Sequence, residues 1–321
     1  MLYNNFLIIQ TAFIGDAILA SSLVEKLHQH FPSAKISILV RKGSESLYEQ
    51  HPFLHEVLVW NKQSEKNKNL IQLLFRIRKN KYDCVVNCHR FASSGLLTAF
   101  SGARHKSGYK QNPFSFLFNT AVKHELSIGK HEIERYNQLI EDFTDAIVFK
   151  PKLHASEADQ EAVEQYIKSP FICIAPASAW FTKQLPVEKW IELIQQLNPD
   201  QNIYLLGAPS DKSLVDTIIS GSKHQHLHNL CSKISFLQTY ALMSKAQMNY
   251  VNDSAPLHLA SASNAPVTAY FMSTVPLFGF GPLSDKSTVK EVRTLSCRPC
   301  GIHGFKACPE GHFKCGHDMQ V

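Results

Sequence analysis

Residues 251–260 combine the end of an apolar run, a polar turn and the start of a helix, a pattern suited to binding an anion. Asn252, Asp253 and Ser254 are residue types that favour helix N-termini. A helix that starts where a strand ends presents unpaired backbone N–H groups and the positive end of its dipole. We therefore predict that this turn binds a phosphate-bearing ligand, with a ligand-free βα turn as the alternative.

A second candidate is the pair Gly15 and Asp16, which follows the first apolar run of the chain. Glycine lets the backbone approach a ligand closely. A carboxylate at this position can act as a general base toward a hydroxyl group. Aspartate is also a common helix cap, so the position itself is equally compatible with catalysis and with capping.

A third candidate is the segment 176–183, which follows another apolar run and contains a single lysine. The Lys183 ammonium can pair with a phosphate as a point charge, and the Ser178 hydroxyl can donate a hydrogen bond. Gly207 ends the next apolar run and is expected at the same edge of the sheet. An exposed loop without a ligand is the alternative for this segment.

The eight cysteines fall into two groups. One group is closely spaced near the end of the sequence, at Cys297, Cys300, Cys308 and Cys315. Four thiols at such spacing predict a structural zinc site, with reduced thiols, disulfides formed on purification or an iron–sulfur cluster as alternatives. The other group lies in or near apolar runs and is predicted to be core, at Cys84, Cys88, Cys173 and Cys231.

Alternating strands and helices must position these residues. Apolar runs predict strands at 6–10, 35–40, 57–60, 84–87, 171–175, 202–206, 248–251 and 266–271. Helical spacing predicts helices at 16–27, 187–197, 211–219 and 236–245. This alternation is typical of an α/β fold with parallel sheets, in which ligands bind at the carboxyl ends of the strands.

The same alternation of predicted strands and helices occurs in both halves of the chain, and a polar stretch between residues 150 and 169 separates them. We predict two Rossmann-like domains that face each other across a cleft. Their predicted bounds are residues 1–160 and 161–290, followed by a cysteine-rich tail at 291–321.

Composition and charge narrow the class of protein. A chain of 321 residues with 44% hydrophobic and 19% charged residues is typical of a globular two-domain protein. We read neither a signal peptide nor a membrane-spanning run, so we predict a cytoplasmic location.

Seven of the basic residues lie within 62–81. This segment predicts either a helix that touches an anionic inner membrane or a solvated helix packed on the core; no nucleic-acid partner is expected.

Taken together, these segments resemble the ADP-heptose:lipopolysaccharide heptosyltransferases, glycosyltransferase family 9, over nearly the whole chain. The resemblance lies in Ile14-Gly15-Asp16, in Ser178 to Lys183 with Leu185-Pro186 and Trp190, in Asn252-Asp253-Ser254 with His258, and in Thr274-Val275-Pro276 before Gly281-Pro282. It implies the GT-B fold and an inverting sugar transfer that needs no catalytic metal or other cofactor. The chain departs from the family at Ala255, where glycine is usual, and at Ala179, where a hydroxyl residue is common.

The resemblance also implies roles for single residues. Asp16 matches the base that accepts the acceptor's proton, and Lys183 matches the lysine that neutralises the donor pyrophosphate. The predicted donor-binding set is Gly15, Ser178, Gly207, Asp253, Ser254, Ala255 and His258. The first domain would bind a lipopolysaccharide-core or related glycan, and the second would bind a nucleotide sugar such as ADP-heptose. The alternatives are a nucleotide-sugar epimerase or hydrolase of the same fold and a non-catalytic sugar-nucleotide-binding module.

Overall fold

The computed structural model describes residues 3–126 and 129–321, and the chain divides into two compact units. Unit 1 is Met1–His154 and unit 2 is Ala155–Val321. The sequence placed the boundary at residue 160 and set residues 291–321 apart. In the structure that tail lies within unit 2, because its apolar side chains pack in the core of that unit.

Unit 1 contains a six-stranded sheet in which every pairing is parallel. Its strands are β1 Asn5–Gln10, β2 Lys35–Arg41, β3 Leu54–Trp60, β4 Cys84–Asn87, β5 His105–Tyr109 and β6 Thr120–Val122. Its helices are α1 Ile14–His30, α2 Lys66–Asn80, α3 Ala92–Ala99 and α4 Glu132–Asn137. The strands lie side by side in the order β3-β2-β1-β4-β5-β6.

Unit 2 contains a second six-stranded parallel sheet. Its strands are β7 Phe171–Ala175, β8 Asn202–Leu205, β9 Leu227–Asn229, β10 Met248–Asn252, β11 Val267–Phe271 and β12 Ser287–Glu291. Its helices are α5 Glu157–Val163, α6 Val187–Gln196, α7 Lys212–Gly221, α8 Phe236–Lys245, α9 Ala255–Ala262 and α10 Lys314–His317. The strand order is β12-β11-β10-β7-β8-β9.

Both sheets have the same winding. In each unit the first three strands run outward in one direction and the next three in the other, so the order reverses between β1 and β4 and between β7 and β10. In open parallel sheets, ligands bind outside the carboxyl ends of the strands at this switch point. The predicted α/β architecture of two Rossmann-like units is confirmed, and the segments that follow β1, β4, β7 and β10 are where a site belongs.

The cores explain the apolar runs in the sequence. Leu7, Ile8 and Ile9 of β1 are fully buried, because a parallel sheet is covered by helices on both faces. In unit 2, Trp190 of α6 packs against the sheet together with Met319 from the tail. The four cysteines predicted to be core residues are all buried, at Cys84, Cys88, Cys173 and Cys231.

Within residues 3–126 and 129–321, no helix combines the length with the apolar character that crossing a bilayer requires.

Candidate functional site

The turn after β10 differs in detail from a capped helix start. Strand β10 ends at Asn252, and α9 begins at Ala255 with Ser254 at the N-cap position. The Ser254 side chain makes no capping hydrogen bond, and its hydroxyl lies 3.4 Å from the Asn252 carbonyl oxygen instead. Asp253 is not a cap either, since its carboxylate is engaged elsewhere. The first turn of α9 therefore begins without a side-chain cap.

Asn252, at the end of β10, forms hydrogen bonds to the loop that follows β7, on the other side of the switch point. Its amide nitrogen donates to the Pro176 carbonyl (2.7 Å), and its amide oxygen accepts from the Leu185 backbone N–H (3.0 Å). The side chain is fully buried, so both hydrogen bonds are shielded from water. The loop that follows β7 is thereby fixed at both ends beside the turn that follows β10.

That loop places Lys183 against Asp253. The Lys183 Nζ lies 2.7 Å from Asp253 Oδ2, and the Thr274 hydroxyl donates to the same oxygen at 2.6 Å. Asp253 and Thr274 are buried, while 15% of the Lys183 side chain is exposed. The structure thus brings together two predicted site residues 70 positions apart in the sequence. A cation held by a buried carboxylate, beside a helix N-terminus, can receive a diphosphate.

The residue before this lysine is held by the cysteine-rich tail. The Thr182 N–H donates to the Phe305 carbonyl (3.1 Å), and the Phe305 N–H donates to the Thr182 hydroxyl oxygen (2.8 Å). At Gly304, where φ is +79°, a Cβ would lie 2.9 Å from Lys183 Cγ. The turn at Gly304 and Phe305 therefore packs directly on the aliphatic stem of Lys183. Sequence reasoning missed this contact because the two segments are more than 100 residues apart.

The remaining predicted donor-site residues of unit 2 have local structural roles. The Ser178 carbonyl accepts from the Gln184 side-chain amide at 2.6 Å, which closes the loop before Lys183. Gly207 follows β8, and a Cβ there would meet Cys231 Sγ at 2.9 Å, so close packing accounts for the glycine. His258 is buried on α9, with its ring centroid 6.4 Å from that of Phe280. Donor binding by these residues stays a prediction.

In unit 1, Asp16 lies in the first turn of α1 at the β1 end of the switch point. The helix begins at Ile14, with Phe13 at the N-cap position and Gly15 second in the helix, so Asp16 is not the cap. The side chain is half-buried. Burial, followed by the Glu132 and Asp16 carboxylates, raises the pKa of the Cys88 thiol, which places the Asp16 charge near the end of β4.

The carboxyl edge of this sheet is otherwise basic. Every strand after β1 ends in, or is closely followed by, a basic residue, namely Arg41, Lys62, Arg90, Lys110 and Lys123. Lys62 Nζ donates to the Thr11 carbonyl at 2.6 Å, and burial together with Arg41 and Lys66 lowers its pKa to about 8. Burial, with Lys62 and Arg90, likewise lowers the pKa of His89 to about 4. The edge therefore has a positive potential that suits an anionic ligand. The signal was present in the sequence, but the predicted strands did not include β5 and β6.

The four tail cysteines are free thiols. Burial, and after it the thiols of Cys300, Cys308 and Cys297, raises the pKa of Cys315 to about 11, so the four are neighbours. In the part of the chain that the structure describes, no three of them bring their sulfur atoms within 4.8 Å of one another. The zinc site stays a prediction.

Comparison with known proteins gives the family. The model for glycosyltransferase family 9 (heptosyltransferase) matches residues 70–306. Lipopolysaccharide heptosyltransferase 3 of Escherichia coli is 26% identical over 282 residues, which cover 82% of this chain and 81% of that protein. Lipooligosaccharide heptosyltransferase 2 of Haemophilus influenzae is 23% identical over 313 residues, covering 89% and 88% of the two chains.

Solved structures give the same fold. The E. coli ADP-heptose LPS heptosyltransferase II superposes with a TM-score of 0.75 at 22% identity, covering 97% of this chain and 96% of the other. A family 9 glycosyl transferase from Veillonella parvula gives a TM-score of 0.79 at 20% identity, covering 89% and 85%. The predicted GT-B class is confirmed. With the family pattern spanning residues 70–306, this chain belongs to glycosyltransferase family 9 and is a glycosyltransferase.

Proposed function

We propose that this protein transfers heptose from ADP-heptose to a lipopolysaccharide-core glycan, with inversion at the anomeric carbon. The observation that carries the proposal is the Lys183–Asp253 ion pair at the carboxyl edge of the unit 2 sheet, beside the N-terminus of α9. The curated relatives named above act on lipopolysaccharide or lipooligosaccharide and are named heptosyltransferases. A solved relative of the same fold, the E. coli heptosyltransferase WaaC, binds ADP.

On the donor side, the reaction breaks the bond between the sugar and the diphosphate. Negative charge builds on the leaving diphosphate, so a cation and helix N–H groups fixed beside it lower the barrier. We assign this role to Lys183 and to the first turn of α9, with Ser178, Gly207, Ser254, Ala255 and His258 lining the donor. Asp253 holds the lysine in place and is a positioning residue. Ala255 supplies a backbone N–H there as glycine would, with a methyl group added.

On the acceptor side, Asp16 is assigned as the general base. The acceptor hydroxyl oxygen attacks the anomeric carbon as the bond to the diphosphate breaks, and the hydroxyl proton passes to the Asp16 carboxylate. ADP leaves with the bonding electron pair. A single displacement of this kind inverts the anomeric centre, and it requires no metal ion. Gly15 allows the backbone beside Asp16 to approach the substrates.

The acceptor is proposed to be an anionic glycan. Support comes from the basic residues that follow the strands of unit 1 at this edge, namely Arg41, Lys62, Arg90, Lys110 and Lys123. Arginine and lysine recognise phosphate and carboxylate groups.

For a lipid-linked acceptor we propose peripheral contact with the anionic inner membrane from the cytoplasmic side. Helix α2 turns Leu73 and Ile77 into the core but leaves Ile71 and Phe75 exposed among its basic residues. The α3 end and the turn at 115–117 add further exposed apolar side chains, at Phe91, Phe100, Phe116 and Leu117. An exposed apolar surface mixed with lysine and arginine is typical of membrane-surface binding.

For the tail we propose a structural zinc ion held by Cys297, Cys300, Cys308 and Cys315. Support comes from the mutual proximity of the thiols. Metal analysis of protein purified without added metal should find about one zinc per chain. Loss of that zinc when the four cysteines become serine would support the proposal, and a metal-free protein with an ordered tail would reject it.

The transfer itself is tested with purified protein, ADP-heptose and a lipopolysaccharide-core acceptor lacking the added heptose. Formation of the extended glycan together with one ADP per transfer is the expected result. ADP release that does not depend on the acceptor would indicate a hydrolase, and an altered donor without transfer would indicate an epimerase. Tight donor binding with no turnover would indicate a binding module.

A further inference from the structure

Three side chains of unit 1, remote in sequence, converge at the start of the connection to unit 2. Glu25 lies on α1, His51 follows the short turn Glu45–Leu47, and His154 is the last residue of unit 1. Glu25 Oε1 lies 2.8 Å from His154 Nε2 and 3.5 Å from His51 Nε2. Among the described residues, this trio alone offers three ligand atoms of the histidine, cysteine or carboxylate type that all lie within 4.8 Å of one another.

The His51 ring is aimed at this point without a hydrogen bond there. Its side chain is fully buried, and Nε2 has no hydrogen-bond partner. A buried polar atom without a partner costs free energy. A metal ion bound at Nε2, once the ring proton has moved to Nδ1, removes that cost.

The surroundings hold the two imidazoles in place. The His51 and His154 ring centroids are 4.5 Å apart, and each ring packs edge-on against Phe53, at 5.7 Å and 5.6 Å. Apolar packing around a polar cluster restricts water and fixes ring orientation, as in the hydrophobic shells around metal ions. Glu25 and His154 keep 14% and 19% of their side chains exposed, which leaves a path for a small ion.

We propose that Glu25, His51 and His154 bind a divalent transition-metal cation of the zinc class. Two imidazole nitrogens and one carboxylate oxygen are a common ligand set for Zn²⁺, with water in the fourth position. Ligand atoms around tetrahedral zinc lie about 3.3 Å apart, from bond lengths near 2.0 Å. The observed 2.8 Å and 3.5 Å separations lie on either side of that value.

Binding at His51 Nε2 requires one proton to move. The Phe53 N–H donates to Nδ1 at 3.3 Å, which places the ring proton on Nε2 in the free protein. On metal binding that proton moves to Nδ1 and the long hydrogen bond from Phe53 is lost. The metal–nitrogen bond outweighs one weak hydrogen bond.

The ion would have a structural role that is separate from the transfer reaction. It would tie residue 154, where the chain leaves unit 1, to α1 and to the loop after Glu45–Leu47. Its contribution to the stability of unit 1 therefore depends on the metal concentration.

Cobalt titration tests the proposal, because Co²⁺ replaces Zn²⁺ and reports its ligands. Binding at this site gives visible d–d absorption without the near-ultraviolet charge-transfer band that thiolate ligands produce. The four tail cysteines, by contrast, would produce that band. The near-ultraviolet charge-transfer band thus reports cobalt at the tail cysteines, and visible absorption without that band reports cobalt at the Glu25, His51 and His154 site.

Three variants and one control complete the test. His51→Ala, His154→Ala and the near-isosteric Glu25→Gln should each weaken the thiolate-free cobalt binding by about tenfold or more. They should also reduce the rise in Tm that Zn²⁺ causes in the parent protein, and any rise that remains would come from zinc at the tail cysteines. His55→Ala, at an exposed histidine on β3, should change neither. Cobalt spectra that show thiolate ligation alone, or thiolate-free binding that is unchanged in all three variants, would overturn the proposal. If His51→Ala unfolds the protein, Glu25→Gln decides the outcome.

Discussion

At the scale of single residues, Asp16 carries the sharpest expectation. Phe13 occupies the N-cap position of α1, and Asp16 lies in the first turn of the helix. We predict that Asp16→Asn lowers the rate of heptose transfer by about 10²–10⁴-fold, the loss typical of a missing general base. Affinity for ADP should stay the same, because ADP contacts unit 2 in the proposed function. The checks are steady-state transfer kinetics and ADP titration; a variant that keeps more than about a third of its activity would contradict the role.

For the Lys183–Asp253 pair, we predict that Asp253→Asn has opposite effects on ADP affinity in the parent protein and in the Lys183→Ala variant. In the parent protein, Asp253→Asn should weaken ADP binding, because Lys183 loses the group that holds it. Lys183→Ala should weaken binding by about tenfold or more, since it removes a charge-assisted contact and leaves a buried carboxylate facing the diphosphate. Adding Asp253→Asn to Lys183→Ala should then restore part of the affinity, since the repulsion disappears. Calorimetric titration of all four proteins measures this cycle, and Tm values show whether each one folds. An effect of Asp253→Asn with the same sign in both backgrounds would contradict it.

At the scale of elements, the turn at Gly304 and Phe305 in the tail packs against the side chain of Lys183 and positions it. Gly304→Ala places a methyl carbon 2.9 Å from Lys183 Cγ and 3.1 Å from Trp180 Cβ, so the lysine stem must shift. We predict weaker ADP binding and slower transfer in this variant. Gly311→Ala is the matched control, because it has a similar positive φ (+71°) in the same tail and no atom within 4 Å. Both variants pay the backbone strain, on the order of 1 kcal/mol, but the loss of ADP affinity should be confined to Gly304→Ala. Equal losses would mean that the tail matters only for stability.

The apolar strands were predictable and the polar strands were not. Runs such as Phe6 to Gln10 and Phe171 to Ala175 are buried on both faces, so their strands read directly from hydrophobicity. Strands β5 and β12 have the polar sequences HKSGY and STVKE, and every residue of β12 is exposed or half-buried. Their place in the sheet comes from pairing with a neighbour, which no local pattern records.

In the candidate site, the positions of single residues were predictable and the contacts between distant segments were not. Gly15, Asp16 and Lys183 follow predicted strands, so their position at the sheet edge followed from the sequence. The ion pair from Lys183 to Asp253 and the contact from Thr182 to Phe305 join segments 70 or more residues apart. Such contacts depend on strand order and on how the tail folds back, and neither is encoded in spacing along the chain.

At the scale of the whole molecule, the basic and apolar surface of unit 1 predicts membrane binding. Each basic residue near an anionic surface contributes about 1 kcal/mol, and salt screens the attraction. We predict binding to anionic liposomes that weakens as salt rises. Changing Arg76, Arg78 and Lys79 of α2 to glutamate should reduce it. Flotation with vesicles of anionic and of neutral lipid measures the effect.

A charge-matched control separates this surface from overall charge. Lys212, Lys223 and Lys286 are exposed lysines of unit 2, and changing them to glutamate alters the net charge by the same amount. Binding should persist in that control. No binding at low salt, or equal losses in both triple variants, would show that α2 is an ordinary solvated helix.

The burial of the tail has a consequence for how the protein is made. Phe313, Cys315 and Met319 complete the core of unit 2, and Phe305 completes the support of Lys183. Unit 1 has all of its own residues once position 154 has been synthesised, and domains fold as units during synthesis. Unit 2 must instead wait until its last 20 or so residues emerge. In a nascent chain, unit 1 would therefore be folded well before unit 2 could bind a nucleotide. Chains truncated before residue 305 would not form a functional donor site.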